Sequence, residues 1–323
     1  MTLPLIAVVL TYNEEDNIER ALRSVDGLCP IVVVDSGSTD QTIEICRRYT
    51  SHIVTHPYEN HAAQWNWALD HLPVQADWIL ALDADFDVTP GLRTQLQNDL
   101  SKVPSGVAGI YVVHRYVFGG AEIRFGGAKK FWLRVIRSGR ARPDLSDLVD
   151  FRFVVDGKTT NWKGVAREYN VADEDASFWI RKQDKFSVRL AVEEELRRER
   201  VLSWGATPKF WGNADERVMW LRDLWLHIPL FVRPFFYFMY RYVVRLGFLD
   251  GVGGFLYHFQ QGFWLRVVVD WKLWQLRRLG VEGESLVRFR DAMMKTSGGS
   301  VRDIWKSMAQ PREAVPKAPE ISR

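Results

Sequence analysis

The first hundred residues alternate short apolar runs with charged stretches of helical spacing. "LIAVVL" (residues 5–10) stops at "TYNEED", and "EEDNIERALRSV" then places apolar residues three and four apart, the period of a helix. "IVVVD" (31–35) is followed by "STDQTIEICRRY", for which Ser38, Thr39 and Asp40 offer N-caps. A third short strand, "HIVTHPY", a helical "HAAQWNWALDHL" and a fourth strand, "DWILALD", complete the series. Continuous β-branched runs predict strands covered on both faces, and the strand-then-helix rhythm predicts an α/β doubly wound sheet. Ligands of such sheets bind beyond the carboxyl ends of the strands. Three of those ends are polar here: "TYNEE", "DSGSTD" and "DADFD". A dinucleotide site would need GxGxxG after the first strand, which "TYNEEDN" lacks.

Beyond residue 107 the pattern turns mixed, with strand-like "AGIYVVHRYVF", "KFWLRVIRSG" and "FRFVVDG", and a charged amphipathic helix from about Ala176 to Arg200. The reading divides the chain into a catalytic domain over 1–200, an aromatic and Arg-rich helical region over 201–285, and a tail over 286–323 that is mobile from about Ser297. In the second segment Arg233, Arg241, Arg245, Asp250 and Arg266 interrupt every run of the roughly 20 apolar residues that a spanning helix needs. The mixture of Trp, Phe, Tyr and Arg instead predicts amphipathic, membrane-associated helices lying in the headgroup layer, with guanidinium groups on anionic inner-leaflet lipids. Packing against the catalytic domain or in a homo-oligomer is the alternative.

At 323 residues and 47% hydrophobic the chain can bury a large core, and a formal net charge of +3 gives no reason to expect nucleic acid as a partner. The two cysteines, Cys29 and Cys46, lack CxxC spacing and read as structural thiols in a reducing cytoplasm. The apolar start reads as a first strand and not as a signal peptide.

The most informative stretch is "WILALDADFDV". Asp83, Asp85 and Asp87 stand two apart, so a continuing strand would carry three like charges on one face. Mg²⁺ takes one or two carboxylates together with substrate phosphates, so this tip asks for a cation and a diphosphate. Asparagine at 83 or 85 should then relieve repulsion while costing activity. Asp87, past the pair, reads as a solvated or capping residue.

Taken in order, "LTYNEEDNIERALRSV", "IVVVDSGSTDQTIEIC", "AAQWNWAL" and "WILALDADF" resemble the family 2 glycosyltransferases of the GT-A fold, and above all the bacterial enzymes of lipopolysaccharide core or exopolysaccharide synthesis. "GFLDGVGGFLYHF" is similar to a C-terminal segment of the same subgroup. The resemblance implies that Thr11, Tyr12, Glu14 and Asp35 contact the nucleoside, with helix capping as the other role of "DSGSTD". It implies that Gln64 and Asn66 approach the nucleotide sugar, or pack a helix, and that Asp83 and Asp85 form the DxD pair, which contacts ribose and, through Mg²⁺ or Mn²⁺, the diphosphate. Inversion at the anomeric carbon requires a carboxylate base on the acceptor hydroxyl. The candidates are Asp175 and Glu174 in "VADEDAS" and Glu168 in "KGVAREYN", where Arg167 replaces a His of the family pattern. Arg134 and Arg137 in "KFWLRVIRSG" resemble a strand of the family that meets phosphate or the acceptor, with a surface salt bridge as the other role, and alternation allows at most one of them to face the site.

The function expected is transfer of a hexose from a nucleotide sugar, UDP-linked by expectation, to a lipid-linked glycan or lipopolysaccharide-core acceptor, at the cytoplasmic face of a bacterial inner membrane. The alternatives are an inactive nucleotide-sugar-binding or scaffold subunit, and a polyprenyl-phosphate glycosyltransferase.

Overall fold

The protein is described from a computed structural model that covers residues 3–127, 130–145, 152–203, 208–211, 214–295 and 299–309. It divides into two compact units, Met1–Gln183 with Phe231–Val267, and Asp184–Leu230 with Val268–Arg323. These limits run differently from the three segments expected, because the aromatic stretch is shared between both units.

The first unit is organised by a nine-stranded mixed sheet. Its elements are β1 (Leu3–Thr11), α1 (Ile18–Val25), β2 (Ile31–Asp35), α2 (Thr42–Cys46), β3 (Ile53–Thr55), α3 (His61–Asp70), β4 (Ala76–Asp83), β5 (Phe86–Val88), α4 (Pro90–Asp99), β6 (Val107–Phe118), β7 (Ala121–Glu122), β8 (Lys130–Arg137) and β11 (Lys158–Glu168), with β9 (Ala141–Pro143) and β10 (Phe153–Val155) pairing separately. The sheet order is β3-β2-β1-β4-β8-β6-β11-β5, and β7 pairs with β6. The first four strands are mutually parallel, and β8 enters antiparallel between β4 and β6.

The β-branched runs form strands because both faces are covered. Ala7, Val9, Val33, Leu80 and Leu82 pack with Ile18 and Leu22 of α1 and Leu92 of α4. Their sequence neighbours Ile6, Val8, Val32, Val34, Ile79 and Ala81 pack with Trp65 and Ala68 of α3 on the opposite side. α4 starts at the Thr89 N-cap with Pro90 in its first turn, and it lies close on β11 because Gly164 has no Cβ: one there would stand 2.7 Å from Leu92 Cα.

Register decides where the polar tips go. Leu10 pairs with Asp83 and Thr11 with Asp35, so the carboxyl ends of β1, β2 and β4 finish side by side. The chain does not continue past Asp83 as a strand; it turns, and β5 pairs antiparallel with β11, setting Glu168 across from Phe86 and Arg167 across from Asp87.

The same unit contains a helical hairpin. α7 (Arg233–Met239) runs into a π turn (Tyr240–Val244); after a 3₁₀ turn at Gly247–Asp250 the chain returns through α8 (Gly251–His258), a second π turn (Phe259–Trp264) and the start of α9 (Leu265–Arg278). The hairpin is fastened to the loop after β7. Asp250 accepts from the backbone N–H of Arg124 and Phe125 at 3.1 and 2.9 Å, and Arg241 Nε donates to Gly126 O at 3.0 Å. Gly126 (φ +67°) lies so close to His258 that a Cβ would stand 2.1 Å from the imidazole. The charges read as lipid-facing therefore turn inward in part: Arg233 and Arg241 are 1% and 8% exposed. Arg245 is exposed, and the outer surface is apolar, with Phe236, Val244 and Val252 at 64%, 67% and 76%.

The second unit is helical, with the later part of α5 (Ala176–Arg198), α6 (Ala214–His227), most of α9, α10 (Glu284–Lys295) and α11 (Val301–Ala309) around Leu196, Val269, Leu273, Leu286 and Phe289. The mobile tail expected from Ser297 is corrected over 301–309, which form a helix that buries Val301 and Ile304; residues 296–298 and 310–323 lie outside the described residues. Glu195, 1% exposed, is held by Arg277 at 2.8 Å and Arg198 at 2.5 Å. Burial works against its charge, but these two arginines outweigh it and hold the carboxyl below its usual range. Its contribution to stability is thus present at neutral pH and lost as pH falls through the lowered native value. Glu195→Ala is expected to destabilise this unit by roughly 3 kcal/mol, the low end for a broken buried pair because both arginines keep about a third of their side chains exposed. Chemical denaturation at pH 7 measures it, and the difference from wild type should shrink at acid pH.

Candidate active site

Two loops interlock at the ends of β1 and β2. Asn13 adopts a left-handed φ of +51°, its carboxamide oxygen accepts from Thr39 N at 2.8 Å, and its own N–H donates to Ser38 Oγ at 2.9 Å. Glu14 N donates to Thr42 Oγ1 at 2.8 Å. Asp35 accepts from Gly37 N, Ser38 N and Ser38 Oγ, so it builds its own loop as well as ending β2. Thr11 is buried and its hydroxyl has no hydrogen-bond partner, while the Tyr12 ring is 56% exposed beside it. A buried orphan hydroxyl and an exposed aromatic face at a strand end are what a nucleoside could use.

Gln64 of α3 is buried; it meets His56 Nδ1 at 2.8 Å and donates to Ser36 Oγ and His56 O, tying α3 to the loops after β2 and β3. Asn66 is half-buried on the same helix. His61, in the first turn of α3, brings Nε2 to 3.0 Å from Asp83 Oδ1, and Arg134 brings Nη1 to 3.1 Å from Oδ2. Burial opposes ionisation of Asp83, but His61 and Arg134 outweigh it and hold the carboxyl well below the usual range. Arg134, 3% exposed, also lies over the rings of Phe86 and Trp132 at 4.3 and 4.9 Å. Arg137 lies over Trp78, with Nε donating to Val107 O at 3.0 Å. A register shift in the β6–β8 pairing, between Ile110–Val135 and Tyr111–Leu133, leaves Arg134 as the extra residue, so both guanidinium groups pack on rings of one core cluster and the alternation expected for them does not hold.

The three aspartates thus have three fates. Asp83 is held by the Arg134 guanidinium and the His61 imidazole. Asp87 is corrected from a solvated residue to a buried one: it is 4% exposed and receives Arg167 Nη2 at 2.6 Å and Nε at 3.0 Å, with Arg20 Nε at 3.7 Å. The alternation that crowds the three charges on one face ends because the chain reverses after Asp85. Asp85 is left among acids: burial, then the charges of Glu168 and Asp83, push its carboxyl up to about 7. Burial first, and Asp85 next, push Glu14 up to about 7 as well. Burial likewise raises Glu168 to about 7, against the pull of Arg134.

Glu168 reaches Asp85 through backbone pairing, since Tyr169 N donates to Asp85 O at 2.9 Å. Arg20 Nη2 donates to Asp85 O at 3.3 Å and to Tyr169 O, with its guanidinium over the Tyr169 ring. His114, fully buried and stacked on Trp132, meets Glu168 Oε2 with Nε2 at 2.8 Å. Lys182 binds Asp173 at 2.9 Å, and its charge also reaches Asp85 and Glu168. The other two candidate bases sit differently. Asp175 Oδ1 accepts from Phe178 N at 2.6 Å as the cap of α5, and Glu174 accepts from Tyr169 OH at 3.1 Å; both are exposed.

Among the described residues no three His, Cys, Asp or Glu side chains converge as a full protein cage for a metal would require. A site completed by diphosphate oxygens needs only one or two carboxylates. The donor set fits that case, because Asp85, Glu14 and Glu168 concentrate negative charge that nearby cations do not cancel, whereas Asp83 is already compensated. Sequence reasoning missed His61, Arg20, His114 and Lys182. Only His61 had a local signal: it opens the helix that starts after β3, three residues before Gln64.

The family model described as glycosyl transferase family 2 matches residues 6–172, more than half of the chain. The lipopolysaccharide core biosynthesis glycosyltransferase LpsC of Rhizobium meliloti is 28% identical over 218 residues, 65% of this chain and 76% of LpsC. An uncharacterized glycosyltransferase of Rickettsia bellii is 33% identical over 98 residues, 30% of this chain and 33% of its own length. Among solved structures, S. aureus TarS 1–349 aligns over 86% of this chain and 92% of its own, at 14% identity and a TM-score of 0.38. Glucosyl-3-phosphoglycerate synthase from Mycobacterium tuberculosis, in complex with Mn²⁺, UDP and glucosyl-3-phosphoglycerate, covers 35% of this chain and 44% of its own, at 22% identity and a TM-score of 0.28. The family match spans every strand end that builds the site, from Thr11 to Glu168, and the chain belongs to glycosyl transferase family 2.

Proposed function

We propose that this family 2 glycosyltransferase inverts the anomeric carbon of a nucleotide sugar, UDP-linked, while moving the hexose to a lipid-linked or lipopolysaccharide-core acceptor. The observation that carries the reading is the contrast at the end of β4: Asp83 is paired with Arg134 and His61, and Asp85 stands against Glu14 and Glu168. Thr11, Tyr12, Glu14 and Asp35 are the nucleoside side of the site. Gln64 holds the loops that form it, and Asn66 lies on the same helix. His61 and Arg134 orient Asp83 toward the ribose. Asp85 would hold a Mg²⁺ or Mn²⁺ ion, which would supply charge neutralisation for the departing nucleoside diphosphate. Glu168 is the base we assign: it accepts the proton of the acceptor hydroxyl, and His114 keeps its carboxylate in place. Asp175 and Glu174 serve the start of α5. Slow release of UDP from a panel of UDP-sugars with Mn²⁺ tests the reading. Binding without turnover, with and without membrane extract, would instead favour a nucleotide-sugar-binding subunit.

We also propose a peripheral position on the cytoplasmic face of a bacterial inner membrane, with the hairpin as anchor. Among the described residues no helix is long and apolar enough to cross a membrane. Support comes from the inward turn of Arg233 and Arg241, which leaves Phe235, Phe236, Val244, Leu249 and Val252 outward. Apolar insertion then outweighs attraction to anionic headgroups, so cosedimentation with phosphatidylglycerol vesicles should survive high salt. Phe235→Ser with Phe236→Ser should weaken it by roughly 10²–10⁴-fold, from about 1.5–3 kcal/mol for each buried ring. A salt-resistant homodimer with no affinity for vesicles would assign the same face to self-association.

A further inference from the structure

A cleft opens beside Glu168 that the donor reading does not use. It lies between the ends of β6 and β11 and the returning helix of the hairpin, and its lining includes Glu168, Asn170, Trp179, Tyr257, Gln260 and Gln261. The two glutamines come from the π turn at Phe259–Trp264, which closes with Leu265 N donating to Gln260 O, five residues back. An α-helix spaces consecutive side chains about 100° apart. The wider turn lets two neighbours line one cleft, and such turns concentrate at functional sites. Gln260 Oε1 is buried and accepts no hydrogen bond. A buried amide oxygen in that state costs stability unless something arrives to donate to it. Tyr257, 5% exposed, is fixed from behind by Tyr116 at 5.2 Å between ring centroids and by the guanidinium of Arg241 at 5.5 Å, so the cleft has a rigid wall. Carboxamides beside a carboxylate, with indole and phenol rings at the side, suit a saccharide: hydroxyls donate to the amide oxygens and C–H faces lie on the rings.

We infer that Gln260 and Gln261, presented by the π turn, bind the sugar hydroxyls of the acceptor and orient the attacking hydroxyl toward Glu168. The inference rests on the glycosyltransferase reading above and deepens its acceptor side. The hairpin therefore has a second task besides any contact with lipid: it completes the acceptor subsite from a segment beyond the matched family region, whose limit is residue 172.

The test is saturation-transfer NMR on the full chain with two probes, UDP with Mg²⁺ and core oligosaccharide freed from lipopolysaccharide by mild acid. Wild type should bind both. Gln260→Leu and Gln261→Leu should each weaken the oligosaccharide roughly tenfold, about 1.4 kcal/mol, with UDP affinity retained. Should a leucine variant also lose UDP, Gln→Asn at the same position, which keeps the amide but shortens its reach, replaces it with the same expectation. UDP binding with no oligosaccharide binding, or oligosaccharide affinity unchanged in both variants, overturns the inference. Failure of wild type to bind UDP is a different result, and removes the donor reading on which this one stands.

Discussion

Replacing Glu168 with glutamine is expected to lower kcat by about 10²–10⁴, the usual range for a general base, while UDP binding in the presence of Mn²⁺ is retained. Glutamine keeps the size and can still meet His114, whose Nε2 lies 2.8 Å from the carboxylate, but it cannot take a proton. The pH dependence distinguishes this role from a structural one. A base acts when ionised, and burial pushes this carboxyl up to about 7, so the wild-type rate should climb as pH rises toward neutrality and then flatten. Cation binding nearby favours the ionised form and moves that limb lower. In Glu168→Gln the limb should vanish. Asp175→Asn and Glu174→Gln are expected to change the rate less than tenfold, since asparagine also caps helices well and Glu174 accepts only from the Tyr169 hydroxyl. A silent Glu168→Gln beside an inactive Asp175→Asn would transfer the role to Asp175.

The second large effect separates two aspartates that look alike in the sequence. Asp85→Asn should reduce the rate by several orders of magnitude and leave the metal-free protein as stable as wild type or more so, because it removes one charge from a group of acids. Asp83→Asn should also lose activity, but at a cost in folding of about 2–3 kcal/mol. It strands the guanidinium of Arg134, only 4% exposed, without its carboxylate; asparagine offers a remaining acceptor, which keeps the cost below the full range for a broken buried pair. The expectation from sequence, that either asparagine relieves repulsion, is thus corrected for Asp83. Thermal melts of both variants with and without Mn²⁺ measure the contrast.

The strands and the helices between them were legible because β1, β2 and β4 are covered on both faces and so read as unbroken apolar runs. The polar tips were legible for the same reason, as the places where those runs stop. What remained hidden depended on long-range pairing. β5 is three residues long, and β11, "KTTNWKGVARE", has no apolar alternation to declare it a strand. Their pairing sets Arg167 on Asp87 and brings Glu168 to Asp85, so neither the burial of Asp87 nor the position of Glu168 could be read locally. His61 and Arg134 arrive at Asp83 from a helix and a strand far apart in sequence. In the hairpin, counting arginines as outward charges failed because Arg233 and Arg241 are covered, which exposes more apolar surface than the composition suggests. The absence of GxGxxG left the acidic strand ends as the feature of the sequence that asked for a chemical role.

The claim beneath all of this is that the acid group after β4 receives a nucleoside diphosphate through a divalent cation. Calorimetric titration of UDP into the full chain, once with Mn²⁺ and once with EDTA, tests it most directly. Affinity should fall at least tenfold when the metal is chelated, and Asp85→Asn with Mn²⁺ should behave like wild type in EDTA. Equal affinity under all three conditions would contradict the account.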